Sequence, residues 1–308
     1  MMWDITYRCP FNCLFCYNGS GAHAGKNELR EHDILRIADD ISKESVVTVC
    51  LCGGEPFARL KNFLTISKRL SDGGVIVNCV SNGWYITPDL LKRLQGRIRT
   101  IQLSLDGPCP ETHDVLRGRK GAFEQVLKAI RSIAASPFKT CELTFVPTRI
   151  NYRSFPAVVK LAVSLGCVTQ LRTQHLIQSG RGHRLDCVLT KEEEKEFEEL
   201  FMQTFEQHKA EISLVFGDPW AHINDWCSQA VPPLFLQITA QGLAKISPYI
   251  PLTVGDLKRE SLADIWARIN ANRDHIADFL MEFATMNSYR DGQVPWIHRD
   301  FDLVADVL

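Results

Sequence analysis

Short apolar, β-branched runs alternate with amphipathic stretches roughly every 25–30 residues, and no other feature narrows the fold as much. Strands separated by helices of that size pair in parallel, so the pattern dictates repeated βα units around a parallel sheet. The spacing predicts strands over residues 3–7, 46–52, 75–80, 100–105, 141–146 and 168–172. Helices are expected over 31–43, 60–72, 87–94, 122–135, 155–165 and 191–207, giving six strand–helix units. Gly53-Gly54-Glu55-Pro56, Ser81-Asn82-Gly83 and Asp106-Gly107-Pro108 each follow a strand, where parallel α/β folds bind their ligands. After residue 208 the pattern changes to a hairpin over 234–239 and 243–246, then a helix over 261–270 with Ser261 as its N-cap. Residues 275–308 mix helical and loop signals. The expected class is α/β: a barrel-like core over residues 1–210 and a smaller α+β appendage over 211–308. No low-complexity linker divides them, so the two should pack together.

Composition narrows the function. The 308 residues carry 35 Lys+Arg against 36 Asp+Glu, a net charge of −1. So even a balance argues against nucleic acid or an anionic membrane as partner, since both need a basic face. No signal peptide opens the chain, and no stretch approaches the ~18–20 apolar residues of a membrane span. The chain starts almost on its first strand, and no separate N-terminal domain is expected ahead of it. A cytoplasmic location follows, where thiols stay reduced. Eleven cysteines among 308 residues fall well below the roughly 8–10% of a disulfide scaffold. Their odd number excludes complete pairing within one chain.

Three of them stand together as Cys9-Pro-Phe-Asn-Cys13-Leu-Phe-Cys16, in a loop after the first strand. Three thiolates so closely spaced can converge on one metal centre, and soft sulfur ligands suit an iron–sulfur cluster or zinc. A purely structural site is normally closed by a fourth ligand, whereas three leave a position open to substrate or cofactor. Zinc with a distant fourth ligand is the alternative reading.

This Cys-x3-Cys-x2-Cys loop, with Phe15 just before the third cysteine, resembles the signature of radical S-adenosylmethionine (SAM) enzymes. The resemblance implies a partial (β/α)6 TIM-type barrel with a [4Fe–4S] cluster held by Cys9, Cys13 and Cys16. One iron is then left for the amino and carboxylate groups of SAM. It also implies reductive cleavage of SAM to a 5′-deoxyadenosyl radical that abstracts hydrogen from a substrate. Gly53-Gly54-Glu55-Pro56, about 37 residues after Cys16, is similar to the family's motif at the SAM amino group. There two glycines permit close backbone approach and a carboxylate can hold an ammonium. Ser81 and Asn82 match a Ser/Thr-Asn-Gly turn, and Ser104 the ribose-facing turn. Arg117, in His113-Asp-Val-Leu-Arg-Gly, matches a position of the peptide-modifying branch that reaches SAM. Phe15 and Ile177 would flank adenine. Ordinary turn closure by Ser81 and Asn82, and helix capping by Asp106, are the simpler readings of those residues.

The C-terminal third is similar to the SPASM and twitch domains of peptide-modifying relatives, which hold auxiliary clusters. Cys227 is followed after fourteen residues by Gly242, and after four more by Ser247 where the motif has cysteine. No cysteine occurs after Cys227, so a degenerate twitch/SPASM-like cap without an auxiliary cluster is expected. Cys227 is either a packing relic or a hydrogen-atom donor to a substrate radical. Cys50, Cys52, Cys79, Cys141 and Cys167 read as packing residues, and Cys109 and Cys187 have no assigned role. Trp220, His222 and Trp226 read as core or pocket lining, and His298 has no nameable partner.

The expected activity is thus radical SAM modification of a ribosomally made peptide, by epimerisation or crosslinking, with flavodoxin or ferredoxin as one-electron reductant. A small-molecule substrate, such as a sugar or nucleotide, is the alternative. A metal-binding regulatory protein with an inactive barrel is the alternative outside the enzymes.

Overall fold

The computed structural model describes residues 1–22, 25, 27–183, 186–217, 235–286 and 301–303. Its strands are β1 (Met2–Asp4), β2 (Thr48–Cys52), β3 (Ile76–Ser81), β4 (Thr100–Ser104), β5 (Cys141–Phe145), β6 (Val168–Thr173) and β7 (Ser213–Val215), with β8 (Gln237–Ile238), β9 (Leu243–Ser247), β10 (Ile250–Asp256) and β11 (Phe301–Asp302) after them. The helices are α1 (Glu31–Lys43), α2 (Leu60–Asp72), α3 (Pro88–Leu94), α4 (Pro110–Arg117), α5 (Ala122–Ala134), α6 (Phe155–Ser164), α7 (Lys191–His208), α8 (Leu262–Ala271) and α9 (Arg273–Met286).

All the strands form one sheet in the order β11-β10-β9-β8-β1-β2-β3-β4-β5-β6-β7. From β1 to β7 every pairing is parallel, as strands joined by helical crossovers must be. The order is linear, so the described sheet is an open, partial barrel. Two findings extend the expectation. β7 adds a parallel strand beyond residue 210, and the C-terminal hairpin β8–β9 joins the sheet itself, because β8 pairs in parallel with β1.

Side-chain alternation explains the layers. Val49, Leu51, Val77, Cys79, Ile101, Leu103, Leu143 and Phe145 lie on the helix-covered face and are buried. There they meet apolar helix stripes such as Ile34, Ile37, Ala38 and Ile41 of α1. The opposite face carries Cys50, Asn78, Gln102 and Glu142, all only half-buried. A closed TIM barrel fills that position with branched apolar residues. Here it is polar and partly open, which leaves room for a ligand between the strands. Among the described residues no helix is long and apolar enough to cross a membrane.

Candidate active site

The C-terminal ends of β1 to β6 surround one cavity, whose wall includes Cys9, Cys13 and Cys16. Phe15, Gly53, Gly54, Ser81, Asn82, Ser104, Arg117 and Ile177 line it as well. Residues singled out separately in the sequence are therefore brought to one place. Glu55 is the exception. Its side chain is fully buried beneath the cavity, where its carboxylate accepts Ser81 Oγ at 3.0 and 3.1 Å, Asn82 N at 2.9 Å and Phe57 N at 3.2 Å. Burial pushes this carboxyl up to about 7 against the pull of those bonds. Within the protein, then, Glu55 ties the turn after β2 to the turn after β3.

The two glycines before it are required by close contact, and Gly53 by its backbone conformation as well. A Cβ on Gly53, whose φ is +131°, would sit 2.3 Å from the Thr6 carbonyl oxygen, and one on Gly54 2.6 Å from that of Arg8. Gly54 N and Glu55 N donate to those same carbonyls at 2.7 and 2.9 Å. The turn is thus zipped to the backbone that leads into the cysteine loop.

Cys9, Cys13 and Cys16 are free thiols. Burial pushes Cys9 up to about 12 and raises Cys13 too, so binding a metal centre must displace their protons. The three thiols line one cavity, and soft sulfur ligands so gathered can each take one iron of a polynuclear cluster.

Two basic residues frame this loop. Arg117, at the C-terminus of α4, forms a buried ion pair through Nη2 with Asp106 Oδ2. Its Nη1 lies 3.9 Å from Cys13 Sγ, and its guanidinium sits 5.3 Å from the centre of the Phe15 ring. Asp106 also accepts Val146 N at 2.8 Å, so it is an ion-pair partner and not the helix cap of the simpler reading. Arg181 went unnoticed in the sequence, yet it clamps the loop: Nε donates to the Cys13 carbonyl at 2.8 Å and Nη2 to that of Ser20 at 2.7 Å. The flanking Gly180 lies so close that a Cβ there would be 2.3 Å from the Tyr17 carbonyl oxygen.

Further residues emerge only in three dimensions. Cys52, expected to pack, lines the cavity and donates to Asp4 Oδ1 at 3.3 Å. Gln237 Nε2 donates to the other Asp4 oxygen at 2.8 Å, linking β8 to the floor of the site. Cys187 is fully buried behind Phe15 with Leu116, Val146 and Leu176. Cys227, Trp220, His222, Trp226 and His298 lie outside the described residues.

Arg117 Nε, Thr144 Oγ1 and Ser20 Oγ are buried, have no hydrogen-bond partner, and belong to residues that line the cavity. Left dry, such atoms cost about 1–3 kcal/mol each, so the cavity is built for a polar ligand beside the thiols. The profile of the Radical SAM superfamily matches residues 3–162, from β1 into α6. The chain belongs to the radical SAM superfamily. As a member it uses a [4Fe–4S] cluster and SAM, and the thiols and unpaired donors fit both.

Individual relatives agree. The chain is 30% identical over 185 residues to the AdoMet-dependent heme synthase of Methanosarcina barkeri, covering 60% of this chain and 52% of that protein. It is 32% identical over 183 residues to the mycofactocin maturase MftC of Mycobacterium tuberculosis, covering 59% and 46%. The chain thus spans about half the length of the curated relatives it matches. Among solved structures, Streptococcus suis SuiB bound to S-adenosylmethionine superposes with a TM-score of 0.69 at 14% identity, covering 86% of this chain and 64% of that one. At that identity the likeness concerns the fold.

Proposed function

We propose that this chain is a radical SAM enzyme acting on a ribosomally made peptide. In this reading Cys9, Cys13 and Cys16 hold the cluster. Gly53, Gly54, Ser104 and Arg117 orient SAM, and Phe15 and Ile177 flank its adenine. Bound together, cluster and SAM supply a 5′-deoxyadenosyl radical able to abstract hydrogen from a substrate. The chain's own contribution is positional. Glu55 holds Ser81 and Asn82 from below, Asp106 holds Arg117, and Arg181 holds the cysteine loop.

The observation that carries the reading is the single cavity uniting the three thiols with unpaired buried donors from β5, α4 and the cysteine loop. Likeness to a mycofactocin maturase and a PqqA peptide cyclase supports a peptide substrate. The half-buried amide and carboxylate side chains of Gln102 and Glu142, on neighbouring strands in register, offer partners for a peptide backbone. Residues 211–308 would act as a degenerate twitch/SPASM-like cap over the barrel of residues 1–210, with Cys227 as candidate hydrogen donor. A small-molecule substrate is the second reading, favoured by the likeness to a heme synthase. Flavodoxin or ferredoxin would supply the electron.

Anaerobic reconstitution tests the reading. The protein should take up iron and sulfide and, with dithionite and SAM, release 5′-deoxyadenosine. Cys13→Ala should release none; retained cleavage in that variant overturns the ligand assignment. Stimulation of 5′-deoxyadenosine release by short peptides but not by an iron coproporphyrin separates the two substrate readings.

A further inference from the structure

Two nitrogen donors point at the sulfurs of the cysteine loop. Asn82 Nδ2 lies 3.6 Å from Cys9 Sγ, and Arg117 Nη1 lies 3.9 Å from Cys13 Sγ. The amide orientation of Asn82 is decided by its other contacts. Its Oδ1 accepts Trp84 N at 2.9 Å, which leaves the NH2 end for sulfur. Its backbone N is held by Glu55 at 2.9 Å. The Arg117 fork is fixed by Asp106. Both residues are more than nine-tenths buried. Among the described residues no side-chain donor of this kind reaches Cys16.

We propose that Asn82 and Arg117 set the reduction potential of the [4Fe–4S] cluster by donating N–H···S hydrogen bonds to Cys9 and Cys13, with Glu55 and Asp106 as the buried carboxylates that hold them in place. A donor to a coordinated thiolate draws charge from the sulfur and so favours the reduced cluster, which carries one more electron. Exclusion of water strengthens each such bond. The cluster gains one electron and no proton, so the two donors act throughout as donors only. Asn82 thereby has a task distinct from SAM binding, and Arg117 keeps Nε for the ligand while Nη1 faces sulfur.

The inference rests on the assignment of Cys9, Cys13 and Cys16 as cluster ligands, and its test separates the two. The full chain is reconstituted anaerobically without SAM, and the cluster midpoint is read by EPR-monitored potentiometric titration. Wild type, Asn82→Ala and Arg117→Lys are compared, with Lys160→Ala on the exposed face of α6 as control. At a fixed potential near the wild-type midpoint, the reduced-to-oxidised ratio should fall about tenfold in Asn82→Ala, equal to about 59 mV for a one-electron couple. Arg117→Lys should shift the same way, and Lys160→Ala should not move. Only reduced clusters give the signal, so the midpoint is read on the loaded fraction even where a variant takes up less iron. Wild-type midpoints in both Asn82→Ala and Arg117→Lys overturn the inference. A wild-type protein with no reducible cluster overturns the ligand assignment instead.

Discussion

Replacing Glu55 by glutamine separates the charge of this buried side chain from its shape. Burial raises the carboxyl from 4.5 to about 7. Between those values the folded protein keeps a proton that the unfolded chain has released. Stability contributed by this group is therefore greatest below about pH 4.5 and falls as pH rises through 7. At about 1.4 kcal/mol per pH unit, the loss between 4.5 and 7 comes to about 3 kcal/mol. A glutamine side chain cannot ionise, so this slope vanishes in Glu55→Gln. Glutamine presents one accepting oxygen in place of two. Either Phe57 N or Asn82 N, now bonded at 3.2 and 2.9 Å, would face an amide NH2 and lose its acceptor, at a cost of about 1–3 kcal/mol. The variant should thus be less stable than wild type at pH 5 by about 1–3 kcal/mol, and by pH 8, where wild type has given up most of that ~3 kcal/mol, it should be level with wild type or more stable. Urea unfolding of the cluster-free protein, followed by tryptophan fluorescence from pH 5 to 8, measures both curves. Subtracting them removes every other titrating group. A difference that stays constant with pH, or that widens as pH rises, would refute the assignment of a raised carboxyl to Glu55.

Asp106→Asn should destabilise the fold by about 3–5 kcal/mol, because it leaves the buried Arg117 guanidinium uncompensated. Adding Arg117→Met should recover part of that loss, and a double variant no more stable than the single one in thermal unfolding would count against a direct pair. Arg181→Ala removes two bonds that hold the cysteine loop. Reconstituted protein should then lose iron to a chelator several-fold faster than wild type, and equal release rates would show that the loop needs no clamp.

Periodicity carries the barrel because each outer helix has an apolar stripe and each strand a single covered face. α1 and α2 fall on the residues their stripes indicate. α4 escapes that logic: its buried side chains are His113, Leu116 and Arg117, a mostly polar set that leaves no stripe to read. β10 and α9 are likewise absent from the expectation; α9 falls almost wholly in the mixed tail, which gives no clean period. At the site, motif spacing leads to the cysteine loop and to the turns after β2, β3 and β4. It does not reveal which way a side chain turns. Glu55 reads as a ligand to an ammonium, and the structure adds bonds from Ser81 Oγ and Asn82 N that its sequence position does not announce. Asp106 and Arg181 act through partners distant in sequence, and no local pattern announces them.

β1 is three residues long, and the loop bearing Cys9, Cys13 and Cys16 follows within five residues of it. Its partner on one side, β2, follows within fifty residues, whereas its partner on the other is β8, and Asp4 and Gln237 are 233 positions apart. Contacts so remote in sequence form late in folding. On a ribosome the base of the cysteine loop would stay open along one edge until the strand at residue 237 has emerged. The base of the cysteine loop is complete only once β8 has joined β1, so a chain cut short before β8 would carry all three thiols on an unfinished foundation.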